Sequence, residues 1–168
     1  LGFTEPYLFD SQWSAGFDVF MVSFPIPNKY LQFKDGFDFK FGHPLEDDLF
    51  AYATYKFEHL TLDQVRTDDP ELDVSSDVGN LSSIGLSFVR DKRNNRFETT
   101  KGNYQSLATE FAGVGANKNF AKLVGESRFY APLSDDLTFR TKLELGHVFR
   151  TSDRPVPPSE KFYLGGHN

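Results

Sequence analysis

The sequence predicts an all-β protein: a partial antiparallel transmembrane β-barrel of about seven strands, with no soluble core. Three observations predict it. Long segments alternate apolar and polar residues with period two. Phenylalanine supplies 19 of the 168 residues, yet hydrophobic residues make up only 39% of the chain. Connections between the alternating segments fall into a short set and a longer set. A membrane barrel accounts for a composition both aromatic and hydrophilic, because one face of each strand meets hydrocarbon and the other meets water. A soluble core would lean on Leu, Ile and Val, whereas Ile occurs only at Ile26 and Ile84.

The alternation places strands at 11–24, 30–43, 49–62, 80–91, 103–114, 120–131 and 137–150. In the first, Trp13, Ala15, Phe17, Val19 and Met21 oppose Gln12, Ser14, Gly16 and Asp18. The second is the cleanest: Leu31, Phe33, Phe37, Phe39 and Phe41 share one side, while Lys34, Asp38 and Lys40 share the other. The seventh repeats it, with Leu137, Phe139, Leu143 and Leu145 against Arg140, Lys142 and Glu144. Soluble strands run about 5–6 residues, and a tilted membrane strand needs about 9–11 in hydrocarbon alone. Length therefore assigns Trp13, Phe17, Val19, Leu31, Phe33, Phe37, Phe39, Phe41, Leu137, Phe139, Leu143 and Leu145 to a lipid-facing surface. Asp18, Lys34, Asp38, Lys40, Lys56, Glu58, Glu126, Arg128, Arg140, Lys142 and Glu144 are expected to face the lumen, with Glu110 and Lys122 beside them. Trp13, Phe20, Phe24, Tyr30, Tyr130 and Phe149 are expected to contribute to aromatic girdles at the membrane interfaces.

The segments 44–48 and 132–136 are near copies, Pro-Leu-x-Asp-Asp, and fall on the same side as 92–102. The opposite side receives 25–29, the long polar 63–79, 115–119 and everything after 151. Outer-membrane barrels keep short turns on the periplasmic side, so the Pro-Leu-x-Asp-Asp turns are expected there. An odd strand count and an open sheet edge predict that the sheet continues at both ends. Leu1–Pro6 has no signal-peptide character, so the N-terminus of the exported protein is expected to lie upstream. No cysteine is present, which excludes disulfides and thiolate chemistry, and a net charge of −6 argues against nucleic acid as a partner.

Three motifs go beyond generic patterning. They are Phe3-Thr4-Glu5-Pro6-Tyr7-Leu8-Phe9, the stretch Arg90–Gly102 (Arg-Asp-Lys-Arg-Asn-Asn-Arg-Phe-Glu-Thr-Thr-Lys-Gly), and Pro157–Asn168 (Pro-Pro-Ser-Glu-Lys-Phe-Tyr-Leu-Gly-Gly-His-Asn). In this order they make the chain resemble the barrel domain of the Omp85 superfamily, closest to its BamA-like assembly-factor branch, the bacterial surface antigen D15 family. The resemblance implies a sixteen-stranded barrel of the Gram-negative cell outer membrane, preceded by POTRA domains. Residues 1–168 would then be about strands five to eleven plus the start of the sixth external loop, with the POTRA domains and barrel ends absent. It implies a role in folding and inserting nascent β-barrel proteins, with the lipid bilayer and accessory lipoproteins as further partners. The family's insertion seam lies between its first and last strands, so this stretch would be scaffold. Thr99 stands where the family usually has Pro, and the Arg-Gly-Phe-type tip that follows the third motif lies beyond Asn168. A periplasmic turn motif of Arg90, Asp91, Asn94, Asn95, Phe97, Thr100 and Gly102 follows from the resemblance, as does a lumen-loop motif of Glu160, Phe162, Tyr163, Leu164, Gly165, Gly166 and Asn168.

The residues themselves allow plainer readings: a solvated hairpin turn for 90–102, and a surface loop, in place of one tucked into the lumen, for 157–168. His43, His59, His147 and His167 show no metal-ligand spacing, and no nucleophile elbow, paired carboxylates or phosphate loop stands out. No cofactor, metal or catalytic residue is expected. Two rivals to the assembly role follow: a transport pore, such as a two-partner-secretion transporter, and a barrel enzyme.

Overall fold

The computed structural model describes residues 1–26, 30–63 and 78–162. They form one antiparallel sheet of eight strands in chain order: β1 (Gly2–Glu5), β2 (Ser14–Ile26), β3 (Tyr30–Glu46), β4 (Leu49–Asp63), β5 (Gly79–Asp91), β6 (Gly102–Ala112), β7 (Phe120–Pro132) and β8 (Thr138–Arg150). The seven expected strands are present, each limit within three residues of that read from the alternation. An eighth lies in the first motif, where Phe3 pairs with Phe17 and Glu5 with Ala15. Four residues are too short to carry a countable alternation, so only the pairing partner reveals this strand.

From β2 onward the strands run 11 to 17 residues. Thirteen residues at ~3.3 Å each and a tilt near 45° rise about 30 Å, the hydrocarbon thickness of a bilayer.

Register decides the faces. Phe17, Phe39, Tyr55, Ile84, Phe111, Ala121 and Phe149 lie in one cross-strand row, and Asp18, Asp38, Lys56, Ser83, Ala112, Phe120 and Arg150 in the next. Every residue assigned to the Phe-rich side within a strand shares the first face, and every assigned lumen charge shares the second. Trp13 and Leu137 sit just ahead of β2 and β8. Among the described residues the Phe-rich face is largely uncovered: Phe17 is 38% exposed, Leu145 66% and Met21 85%, while Leu31, Phe37 and Phe57 are half-buried. Phe17 and Phe39 hold ring centroids 4.8 Å apart, and Phe37 and Phe57 stack at 5.7 Å. The girdle expectation changes here. Phe20, Phe24 and Tyr130 occupy even positions, so the register turns them to the face of Asp18 and Arg128.

The buried hydrophobic residues lie on the charged face. Leu81, Ala112 and Phe120 form a small cluster against which Val148 and Val156 pack. The cover is residues 151–162, which leave β8 and return across the sheet.

The two Pro-Leu-x-Asp-Asp copies fold differently. In the first, β3 continues through a register shift between Pro44 and Glu46, so that Glu46 pairs with Leu49 and the turn is tight. The second leaves the sheet after Pro132 and closes through Leu133 N–H and Ser134 N–H onto the Leu137 carbonyl, at 2.8 and 3.2 Å. The difference is the neighbour: Asp48 accepts from Arg90 at 3.0 Å and lies 3.1 Å from Lys92, both on the strand side that follows.

Gly102, where β6 begins, has φ +112°, and a Cβ there would lie 2.1 Å from the Lys92 carbonyl oxygen. Gly102→Ala is therefore expected to cost about 1–3 kcal/mol, measured as a lower denaturant midpoint of the refolded full-length barrel. Gly125→Ala, where the only close neighbour of a Cβ is Leu107 Cδ1 at 4.0 Å, is expected to stay within about 0.5 kcal/mol.

Candidate functional site

The polar face gathers charges because alternate residues of adjacent long strands stand side by side. Lys40 Nζ donates to Asp18 at 2.7 Å and reaches Asp38 at 3.0 Å. Lys34 meets Glu58 at 3.3 Å, Lys142 meets Glu144 at 2.7 Å, and Arg128 pairs with Glu126. Arg140 stands on the same face, opposite Tyr130. Lys56 meets Glu110 at 3.1 Å, and Ser83 Oγ donates to the same Glu110 oxygen at 2.7 Å. Thr54, Lys56, Ser83, Gly85, Ser87, Ala108 and Glu110 line a cleft of about 240 Å³, open because the intervening residues are small.

The segment 151–162 closes the other end of this face. Arg154 Nη1 donates to the Asn117 carbonyl at 2.8 Å, tying the segment to the β6–β7 connection. Pro157 is fully buried, and a single 3₁₀ turn, Pro158–Glu160, aims Glu160 at the sheet. Lys122 Nζ donates to Glu160 Oε2 at 2.5 Å. Glu160 is 7% exposed and Glu58 5%. Burial would push the Glu160 carboxyl up, but the Lys122 ammonium, with Lys56 and Lys34 behind it, outweighs that and holds it below the usual glutamate range.

Of the lumen-loop motif, Glu160 and Phe162 both lie on the polar wall. Tyr163, Leu164, Gly165, Gly166 and Asn168 lie outside the described residues, as do His167 and most of the 63–79 connection. The sequence pattern had placed Lys122, Glu110 and Gly146 on this face, but it carried no sign that Leu81, Ala112 and Phe120 would be buried there. Their cover is remote in sequence, and alternation reports only a face, never what lies over it.

The turn motif is built from its own side chains. Arg93 grips Asp91 with two parallel hydrogen bonds of 2.8 Å, and Arg96 reaches the same carboxylate at 3.3 Å. Asn94 donates to Thr100 Oγ1 at 2.8 Å and accepts from the Thr100 and Lys101 amides. Asn95 Oδ1 accepts from the Phe97 amide at 2.8 Å, and Thr99 Oγ1 donates to the Asn95 carbonyl at 2.5 Å. The guanidinium groups of Arg93 and Arg128 lie 5.0 and 5.1 Å from the Tyr104 ring centroid. Phe97 is left 97% exposed. Three histidines lie on the Phe-rich face: His43 stacks on Trp13 at 4.5 Å, His59 hydrogen-bonds Asn80 at 2.6 Å, and His147 meets the edge of Phe149 at 4.3 Å.

The family model of the Omp85 superfamily domain matches residues 1–168. The chain belongs to the Omp85 superfamily. It is 25% identical over 167 residues to the outer membrane protein assembly factor BamA of Nitratidesulfovibrio vulgaris, covering 98% of this chain and 21% of that protein. It is 33% identical over 86 residues to the mouse sorting and assembly machinery component 50 homolog, covering 51% of this chain and 18% of that one. In fold it superposes on the crystal structure of BamA from Haemophilus ducreyi lacking POTRA domains 1–3, with a TM-score of 0.86 at 17% identity, covering 98% of this chain and 35% of that one. The chain thus spans about a fifth of the length of the curated relatives it matches.

Because the folded-state carboxyl of Glu160 is lowered, its contribution to docking is complete above the unfolded value of about 4.3 and is lost as pH falls through the lower folded value. A nitroxide on Asp153→Cys is expected to show the same restricted mobility from pH 8 to about pH 5 and to loosen only in stronger acid. Loosening between pH 8 and about pH 6 would contradict this assignment.

Proposed function

We propose that this chain is barrel wall of a factor that folds and inserts β-barrel proteins into the Gram-negative cell outer membrane. The Omp85 match along the whole chain carries the reading, and two named assembly proteins among its relatives support it. The chain is a stretch of outer-membrane β-barrel: its uncovered Phe-rich face is far larger than the apolar patch of a few hundred Å² that a soluble monomer shows, and hydrocarbon is the solvent that suits it.

On this reading β2–β8 are about the fifth to eleventh strands of a sixteen-stranded barrel, with β1 ahead of them, and 151–162 begins the sixth external loop. POTRA domains and accessory lipoproteins belong to the full-length protein. The charged face lines the lumen, and the turns at 47–48, 92–101 and 133–137 face the periplasm. The wall scaffolds the machine without nucleotide, metal or covalent chemistry.

The decisive experiment reconstitutes the full-length protein in liposomes with an unfolded outer-membrane barrel as client. Client folding is expected to accelerate without nucleotide, and depletion in cells should lower the level of folded barrel proteins. Unchanged client folding together with transport of a single passenger polypeptide would point instead to a secretion transporter. The lipid-facing assignment has its own check. Leu145→Arg is expected to destabilise the bilayer-embedded barrel by roughly 2–4 kcal/mol, whereas Lys142→Arg on the opposite face leaves the denaturant midpoint nearly unchanged.

A further inference from the structure

Segment 151–162 rests on the sheet with a small apolar footing, Val156 against Leu81, Ala112 and Phe120, and with Pro157 buried. Beyond that footing and the Arg154–Asn117 hydrogen bond at its start, two side chains meet the wall of β7 and β8. Glu160 is held by Lys122 on β7. Phe162 occupies a seat on β8: three of its ring atoms lie 2.4 to 2.7 Å from the point where a Cβ on Gly146 would stand. Lys122 joins the two, because its ammonium lies 5.6 Å from the Phe120 ring centroid and 5.9 Å from that of Phe162. Residues 160 and 162 are two apart on the segment, and their partners are on adjacent strands.

We propose that Lys122 and Gly146 are positioning residues that set the register of segment 151–162 on the polar wall, one by reading the carboxylate at 160 and the other by leaving room for the ring at 162. A slip of one residue brings either Ser159 or Lys161 to Lys122. The serine leaves the Lys122 ammonium with only Glu110, its cross-strand neighbour, which Lys56 and Ser83 already engage. The lysine adds a further cation where Lys34, Lys56 and Lys122 already face Glu58, Glu110 and Glu160. Glu160 is charge-balanced only in the observed register. The inference rests on packing and charge alone and holds whether the barrel inserts proteins or conducts them.

The test uses the full-length protein in isolated outer membranes, with Val156→Cys as reporter; the 168 residues contain no other cysteine. The readout is its labelling rate by a membrane-impermeant maleimide, and the heat-modifiable mobility of the folded barrel controls for folding. Lys122→Met and Glu160→Gln are each expected to accelerate labelling by at least about tenfold, because each leaves a largely buried charge unpaired. The double variant Lys122→Met/Glu160→Gln is expected to label no faster than either single one, since no charge then stands alone. Gly146→Val is expected to accelerate labelling by displacing Phe162. Single variants that label like the parent, or effects that multiply in the double variant, would overturn the role of Lys122. Parent-like labelling of Gly146→Val would overturn the seat.

Discussion

The structure depends on an unbroken ladder of backbone hydrogen bonds from β1 to β8. In hydrocarbon no water is available to satisfy an amide or a carbonyl, and each orphaned group costs several kcal/mol. The chain meets this constraint with strands of 11 to 17 residues paired in sequence order. Once the ladder forms, side-chain placement follows, because a shift of one residue would turn an entire strand's Phe row to the charged side. The row from Phe17 to Phe149 and the row from Asp18 to Arg150 are two consequences of one register.

Stability is distributed unlike that of a soluble sheet. Among the described residues no segment packs over the apolar face, and its aromatic rings touch mainly one another, as Phe17, Phe37, Phe39 and Phe57 do. Cohesion across the other face is electrostatic. Exposed pairs such as Lys40–Asp18 and Lys142–Glu144 contribute about 0–1 kcal/mol each. Lys34–Glu58, Lys56–Glu110 and Lys122–Glu160 are more deeply covered and differ in kind. Their desolvation is costly, so they stabilise only as complete pairs, and losing one member costs more than the pair contributes. Such pairs specify an arrangement more than they strengthen it. That property suits a segment that must return to one place on a wall.

On the turn side the loop 92–101 is held by its own side chains and by neighbours at its base, Asp91, Tyr104 and, through Lys92, Asp48. Asp91 binds two arginines, and the two asparagines satisfy the backbone amides that the hairpin cannot. The Thr99 side chain hydrogen-bonds within the loop. A loop organised in this way presents Phe97 at its tip without being able to bury it.

The seven long strands, their faces and the charged row were legible in the amino-acid order, because period-two alternation over a dozen residues is a local property and pairing preserves it. Asp18, Lys34, Lys56 and Glu58 could be placed on one wall for that reason alone. Three features were decided only by tertiary contact. The short β1 exists because β2 offers it an edge. The near-copy Pro-Leu-x-Asp-Asp words fold apart, and Arg90 and Lys92 meet Asp48 of the first. The burial of Phe120 and Leu81 and the meeting of Lys122 with Glu160 depend on a segment 38 residues away folding back across the sheet, and no periodicity within a strand encodes that return.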